Sequence, residues 1–247
     1  MLQTTESRQR LVKPIPFVGR RRELCELTGA LRAGRPRLTV GPAGMGKKRL
    51  VQEALQAAQP PFVRVRAADV LHELAARLAA ALRCTHPRFP SLQKATTPAL
   101  KMLVLTALRR VPQFVVLDDL HDADPRMYRF LQELYYVPGV ALIVTASSRA
   151  DLGYVRKLLW DPREEIALEP LSRTEARTLF DEAVRHFGIE SLETGDFGRK
   201  VLAAAEGNPG QILAMCRMAA RPEYQEGRYI KFLPLRIDML SAFSPSR

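Results

Sequence analysis

The chain has 247 residues, 47% hydrophobic and 26% charged, with a formal net charge of +12. This is the composition of a water-soluble globular protein, enough for one large domain or a domain with a small lid. It excludes a membrane-spanning chain, because no uninterrupted apolar run is long enough to cross a bilayer.

The charge is uneven: residues 1–110 hold 21 basic and 6 acidic side chains, whereas residues 111–247 hold 17 and 20. A half of one sign attracts phosphate polymers, serves a nucleotide, or pairs with the acidic half of a neighbouring copy. No helix-turn-helix, zinc-finger or aromatic-studded strand pattern selects nucleic acid among these. Three scattered cysteines, Cys25, Cys84 and Cys216, show no metal-ligand spacing and read as reduced, partly buried thiols. Residues 1–13 read as a flexible, polar, basic arm without the apolar core of a secretory signal, and the reduced thiols lead us to expect a cytoplasmic protein.

After Pro14 and Pro16 come Phe17-Val18-Gly19-Arg20 and a helix from Arg22 to about Leu31. Leu38–Val40 is a short β-prone run, and it leads directly into Gly41-Pro42-Ala43-Gly44-Met45-Gly46-Lys47-Lys48-Arg49. This segment matches G-x-x-x-x-G-K, a loop whose backbone N–H groups wrap a di- or triphosphate while its lysine neutralises the β and γ oxygens. The glycines let the backbone curl and approach the phosphates without a Cβ in the way. Leu50, Val51, Ala54, Leu55 and Ala58 follow at helical spacing, so strand, glycine loop and helix stand in the order that phosphate binding requires. Where the pattern wants Ser or Thr for a metal, the chain has Lys48.

A second strand covers Phe62–Val65, and Leu71, Leu74, Ala75, Leu78 and Leu82 make a helical stripe. Residues 84–98 read as a loop and Leu100–Arg110 as a helix. Phe114–Leu117 is a continuous apolar run, as expected of a strand covered on both faces, and it ends in Asp118-Asp119. Asp118 is placed to hold Mg²⁺, and Asp119 to orient or deprotonate an attacking water. Two aspartates at a strand end are also a common turn signal. Pro125–Tyr135 is a helix with Asp124 as N-cap, Val140–Val144 a fourth strand and Glu165–Leu168 a fifth. Strands alternating with helices predict an α/β fold: a five-stranded parallel sheet in an αβα layer arrangement.

Beyond Pro170 only helices are expected. A capping box, Ser172-Arg173-Thr174-Glu175, opens one reaching Phe187, and Phe197–Ala205 and Gln211–Met218 supply two more. The domains are therefore a nucleotide-binding domain over residues 14–170, a helical lid over 171–221, and a partly extended, apolar tail over 222–247. The tail docks on its own domain or on a partner. His121, beside the carboxylates, reads as a hydrogen-bonding residue rather than a catalyst, and His72, His86 and His186 show no ligand pattern. Trp160 reads as a packing residue.

Phe17–Arg20, Gly41–Lys47, Leu117–Asp124, Val144–Arg149, Leu168–Leu171 and Gly207-Asn208-Pro209 occur in that order. Together they resemble the AAA+ and STAND-type P-loop ATPases, close to the archaeal origin-recognition ATPases. That resemblance covers residues 14 to about 220. It implies ATP or ADP with Mg²⁺ as ligands, Val18 and Gly19 near the adenine, and Lys47 on the phosphates. It further implies Asp118 at the metal, Asp119 in place of the acidic residue that polarises water, and Arg149 as a sensor of the γ-phosphate. Pro209 would close over the base. Each has a plainer reading: Gly19 as a turn, Arg149 as a strand-end arginine, Asn208-Pro209 as a helix break.

Three functions fit: a nucleotide-dependent assembly switch acting through a homo-oligomer or protein partner, an ATP-dependent DNA-binding regulator using the basic half, and a scaffold that holds nucleotide without turnover. Lys48 leaves ATP binding a firmer expectation than hydrolysis.

Overall fold

A computed structural model describes residues 15–85 and 91–243. The expected arm over residues 1–13, and His86, lie outside the described residues. Arg20–Glu169 forms one compact unit; Pro170 onward, together with the segment ending at Gly19, forms another.

The first unit is built on a parallel sheet of order β2-β3-β4-β1-β5. Its strands are β1 (Arg37–Val40), β2 (Phe62–Arg66), β3 (Phe114–Asp118), β4 (Ala141–Ala146) and β5 (Glu165–Ala167). α1 (Arg21–Arg32) precedes them, and the helices between them are α2 (Lys47–Ala58), α3 (Leu71–Ala81), α4 (Thr97–Arg110) and α5 (Pro125–Tyr135). Val115, Leu117, Leu142, Val144, Leu38 and Val40 point to one face, where Leu74, Leu78, Leu100, Leu108, Phe130 and Leu134 of α3, α4 and α5 bury with them. The residues one step out of phase, Thr39, Val116, Ile143 and Thr145, are fully buried too. On their side α1 and α2 pack together through Leu27, Leu31, Leu50 and Leu55, so the central strands are covered on both faces. That is why β3 and β4 read as unbroken apolar runs. The edge strand β2 keeps alternation instead: Val63 and Val65 are buried, while Arg64 and Arg66 share the other face.

α5 begins as expected, with the Asp124 carboxylate accepting the Met127 N–H at 2.7 Å and Pro125 in the first turn. α4 starts earlier than the sequence suggested, at Thr97, because Pro98 sits in its first turn, where no intrahelical N–H is lost.

The second unit holds α6 (Arg173–Phe187), α7 (Thr194–Ala205), α8 (Pro209–Ala219) and α9 (Phe232–Phe243). The capping box is complete at the start of α6: Ser172 Oγ accepts the Glu175 N–H at 3.3 Å and Glu175 accepts the Ser172 N–H at 2.9 Å. Phe180, Val201, Ile212, Met215 and Cys216 form the core. Among the described residues the tail forms an antiparallel ribbon, β6 (Gln225–Glu226) with β7 (Tyr229–Ile230), followed by α9. It docks on its own unit: Leu235 and Met239, one turn apart, are buried in that core, with Tyr224 Oη donating to Asp238 at 2.8 Å. Pro234 falls in the first turn of α9, where a proline is tolerated.

The cysteines differ more than their spacing suggested. Cys25 is exposed, Cys84 half-buried and Cys216 buried, and burial pushes the Cys216 thiol up to about 12. A thiol reagent such as DTNB at neutral pH is expected to label Cys25 first and to reach Cys216 only with unfolding. Rapid labelling of Cys216 in the native protein would contradict this packing.

Candidate functional site

At the end of β1 the chain turns through Gly41, whose N–H donates to the Ser147 carbonyl at 3.2 Å. A Cβ on Gly41 would stand 3.1 Å from Leu168 Cβ and 3.2 Å from the Leu168 carbonyl oxygen, so a side chain here would crowd Leu168. Pro42, Ala43 and Gly44 are exposed at the loop tip, while Met45 turns inward and is buried. Gly46 adopts φ 88°, ψ 16° as the N-cap of α2, and a Cβ there would meet nothing within 4 Å. Backbone conformation, not crowding, selects glycine at that position. The first turn of α2 has no acidic residue, and its N–H groups, lacking intrahelical acceptors, favour an anion. Arg49, in the same turn, is paired with Glu53 at 2.6 Å.

Lys47 is buried, and its ammonium donates to the Gly41 carbonyl and, at 3.0 Å, to the Pro42 carbonyl, holding the loop closed on itself. Burial holds its pKa below 10.5; the Asp119 charge opposes that shift and Lys48 adds to it.

The two carboxylates at the end of β3 are each engaged. Asp118, 7% exposed, receives Arg64 as a two-pronged fork: Nε to Oδ2 at 2.7 Å and Nη2 to Oδ1 at 3.1 Å. The same Nη2 also donates to the Lys48 carbonyl at 3.2 Å. Asp119 Oδ2 lies 2.6 Å from Lys48 Nζ and 3.7 Å from Arg66 Nε. Asp119 takes a left-handed backbone conformation, φ 56°, and its N–H is received by the hydroxyl of the fully buried Thr145 at 2.9 Å. Sequence reasoning missed Arg64 and Thr145. The signal for Arg64 was available: in Phe62-Val63-Arg64-Val65-Arg66 the alternation puts both arginines on one face, and parallel pairing sets that face beside Asp118.

The loop after Asp119 is tied to the segment after β4. The Asp122 N–H donates to the Asp151 carbonyl at 2.7 Å and the Tyr154 N–H to the Ala123 carbonyl at 3.0 Å. His121 donates from both ring nitrogens, Nδ1 to the Asp119 carbonyl at 3.0 Å and Nε2 to Asp69 at 2.8 Å, an arrangement suited to imidazolium. Chiefly the bond to the Asp119 carbonyl raises its pKa above 6.5, against a smaller desolvation, with Asp69 and Asp122 adding to the rise. A raised folded pKa gives stability that is present below the ordinary value and lost as pH rises through the raised one. The thermal midpoint of the parent is therefore expected to exceed that of His121→Gln at about pH 6, with the gap closing by about pH 8. A gap independent of pH would contradict it.

Arg149 follows β4 and acts within the unit as a clamp. Its Nε donates to Glu165 at 2.5 Å and its Nη1 to the carbonyls of Leu159 at 2.8 Å and Trp160 at 3.2 Å. Its Nη2 is buried without a hydrogen-bond partner. Trp160 is exposed and not a packing residue.

Val18, Gly19 and Pro209 belong to the second unit. Val18 packs against its core, and a Cβ on Gly19 (φ 71°) would stand 2.7 Å from Glu175 Oε1. Pro209 opens α8 behind Asn208, whose side chain accepts the Gln211 N–H at 3.2 Å. Gly207, φ 77°, leaves no room for a Cβ, which would lie 2.6 Å from the Leu171 carbonyl oxygen.

These side chains do not fit a resident Mg²⁺. The residue after Lys47 offers a cation where a metal needs an oxygen, and both oxygens of Asp118 accept from a guanidinium. Among the described residues, no group of three or more His, Cys, Asp or Glu side chains is placed to hold a metal, and no helix is long and apolar enough to cross a membrane.

A parallel sheet of this order, with helices on both faces and a glycine loop between the first strand and its helix, is the αβα architecture of the P-loop NTPases. The chain matches no family model and no curated protein. Solved structures do resemble it, and the likeness is to AAA+ P-loop ATPases at the level of the fold. The Aeropyrum pernix ORC1 protein, solved in complex with DNA, superposes with a TM-score of 0.68 at 16% identity, over 94% of this chain and 68% of that one. The ADP form of the Aeropyrum pernix ORC2 protein gives 0.62 at 14% identity, over 93% and 70%. A STAND protein with a tetratricopeptide-repeat sensor from Pyrococcus horikoshii gives 0.53 at 19% identity, over 92% of this chain but only 33% of that one.

Proposed function

We propose that the chain binds ATP or ADP at residues 41–49 and works as a nucleotide-dependent assembly switch with slow or absent hydrolysis. The observation that carries this reading is the cradle between β1 and α2: an exposed glycine tip, positive φ at Gly44 and Gly46, and a buried lysine folded onto the loop. A polyphosphate would take over the Lys47 hydrogen bonds now made to the Gly41 and Pro42 carbonyls, and charge-assisted bonds to phosphate are stronger than bonds to a neutral carbonyl. Arg149 is proposed as the γ-phosphate sensor, a role for which its guanidinium would exchange its bonds to Glu165 and to the Leu159 and Trp160 carbonyls for the phosphate. Slow turnover follows from Asp119, whose carboxylate is in contact with the Lys48 ammonium and must leave it before it polarises a water.

Structures of similar fold support the ligand class: ORC2 was solved as ADPNP–ADP complexes. The test is calorimetry with ATP and ADP, followed by light scattering of the eluted protein in each nucleotide. Binding of both, with a larger assembly in one of them, is the expected result. No heat with any adenosine ligand would remove the reading.

A second reading, an ATP-dependent DNA-binding regulator, is favoured by the excess of 21 basic over 6 acidic side chains in residues 1–110 and by the DNA complex of ORC1. It requires DNA affinity that falls steeply with salt. No retention on duplex DNA at low salt would exclude it.

A further inference from the structure

We infer that Arg64 and Lys48 stand in for the divalent cation of this site, so that the chain binds nucleoside di- and triphosphates without a metal. The inference rests on the nucleotide reading above and specifies how the phosphate charge is met.

A metal beside a loop of this kind is held between the first turn of the following helix and a carboxylate at the end of a neighbouring strand. The Arg64 fork bridges those two elements: it grips both oxygens of Asp118 and also donates to the Lys48 carbonyl in the first turn of α2. Lys48 completes the replacement, setting its ammonium 2.6 Å from Asp119 at the position where the pattern calls for a hydroxyl. The Arg64–Asp118 pair has a good reason to persist. The guanidinium stays charged at any accessible pH, and the planar fork is matched to a carboxylate.

The formal charge agrees. Lys47, Lys48 and Arg64 face Asp118 and Asp119, leaving one positive charge in excess. A hydroxyl at position 48, no arginine and a divalent cation would leave the same excess. With Arg66 3.7 Å from Asp119 as a further cation, a polyphosphate arriving at α2 meets a positive field before any metal is added.

The test is calorimetry of ADP and ATP against the full chain in EDTA and in magnesium. The expected dissociation constants agree within about twofold between the two buffers, whereas a weakening of about tenfold or more in EDTA would overturn the inference. The double variant Lys48→Thr/Arg64→Gln supplies the missing oxygen and frees Asp118, so it should acquire a metal requirement. Its affinity is expected to fall about tenfold or more in EDTA and to recover in magnesium, where binding itself reports that the variant is folded. Metal-independent binding by the double variant would overturn the assignment of these two residues. The two readings separate cleanly. Heat in magnesium alone leaves the nucleotide site standing and removes only this inference; no heat in either buffer removes both.

Discussion

Lys47→Met is expected to lose nucleotide binding while leaving the unliganded protein about as stable as the parent. The ammonium is buried and its pKa is depressed, chiefly by that burial, so the fold holds the charge at a cost. Methionine keeps the apolar stem and removes the charge. The Pro42 carbonyl lies at the exposed tip, where water replaces the lost donor, and the cost of leaving the buried Gly41 carbonyl without one is offset by the relief of no longer burying a charge. The unfolding free energy is therefore expected to stay within about 1 kcal/mol of the parent. Affinity for ADP or ATP should fall about 100-fold or more, near 2.7 kcal/mol, the scale of charge-assisted bonds to phosphate.

The sign of the pH dependence follows from the depressed lysine. Between its folded value and 10.5 the unfolded chain binds more protons than the native one, so stability rises with pH in that window. The parent should gain on Lys47→Met as the pH approaches the ordinary lysine value. Scanning fluorimetry over pH, with calorimetry for binding, checks both halves. A variant that binds ADP like the parent would remove Lys47 from the site.

Gly153→Ala is expected to be the most damaging small substitution in the first unit, costing about 3 kcal/mol and lowering the thermal midpoint by about 8 °C. Gly153 has φ 55°, ψ −130°, a conformation that L residues avoid. Its Cβ would lie 2.6 Å from the Ala123 carbonyl oxygen and 2.8 Å from the Ala123 nitrogen, both backbone atoms that cannot swing aside. The clash falls on the seam of hydrogen bonds that ties residues 122–123 to residues 151–154, four residues from Asp119. Gly46→Ala serves as the control. It also places a Cβ on a left-handed residue, but into open space, so only conformational strain of about 1 kcal/mol is expected. If both variants unfold within about 0.5 kcal/mol of each other, the seam is not packed as described.

Much of the fold was legible because it is written in periodicity. The unbroken apolar runs of β3 and β4 announced strands covered on both faces, and the Asp124 and Ser172 caps marked where α5 and α6 begin. Capping is a local interaction between residues three apart, which a sequence states openly. Pro98, read as part of the loop over residues 84–98, misled for the converse reason. A proline breaks a helix in its interior but not in its first turn, and only the position of the turn says which applies.

The candidate site divides along the same line. The glycines of the loop, the lysine and the strand-end carboxylates lie in short segments, so spacing alone brought them to notice. What those carboxylates touch is set by contacts across long separations. Arg64 reaches Asp118 over 54 residues of chain, Thr145 meets the Asp119 amide over 26, and Glu165 holds Arg149 over 16. The sequence alone determined that this protein has strands, helices and a phosphate-type loop in a workable order. Only the tertiary structure decided that the acidic residues beside that loop are already paired with arginine and lysine, because strand pairing sets β2 against β3 and the fold brings the first turn of α2 to the end of β3, and nothing local does either.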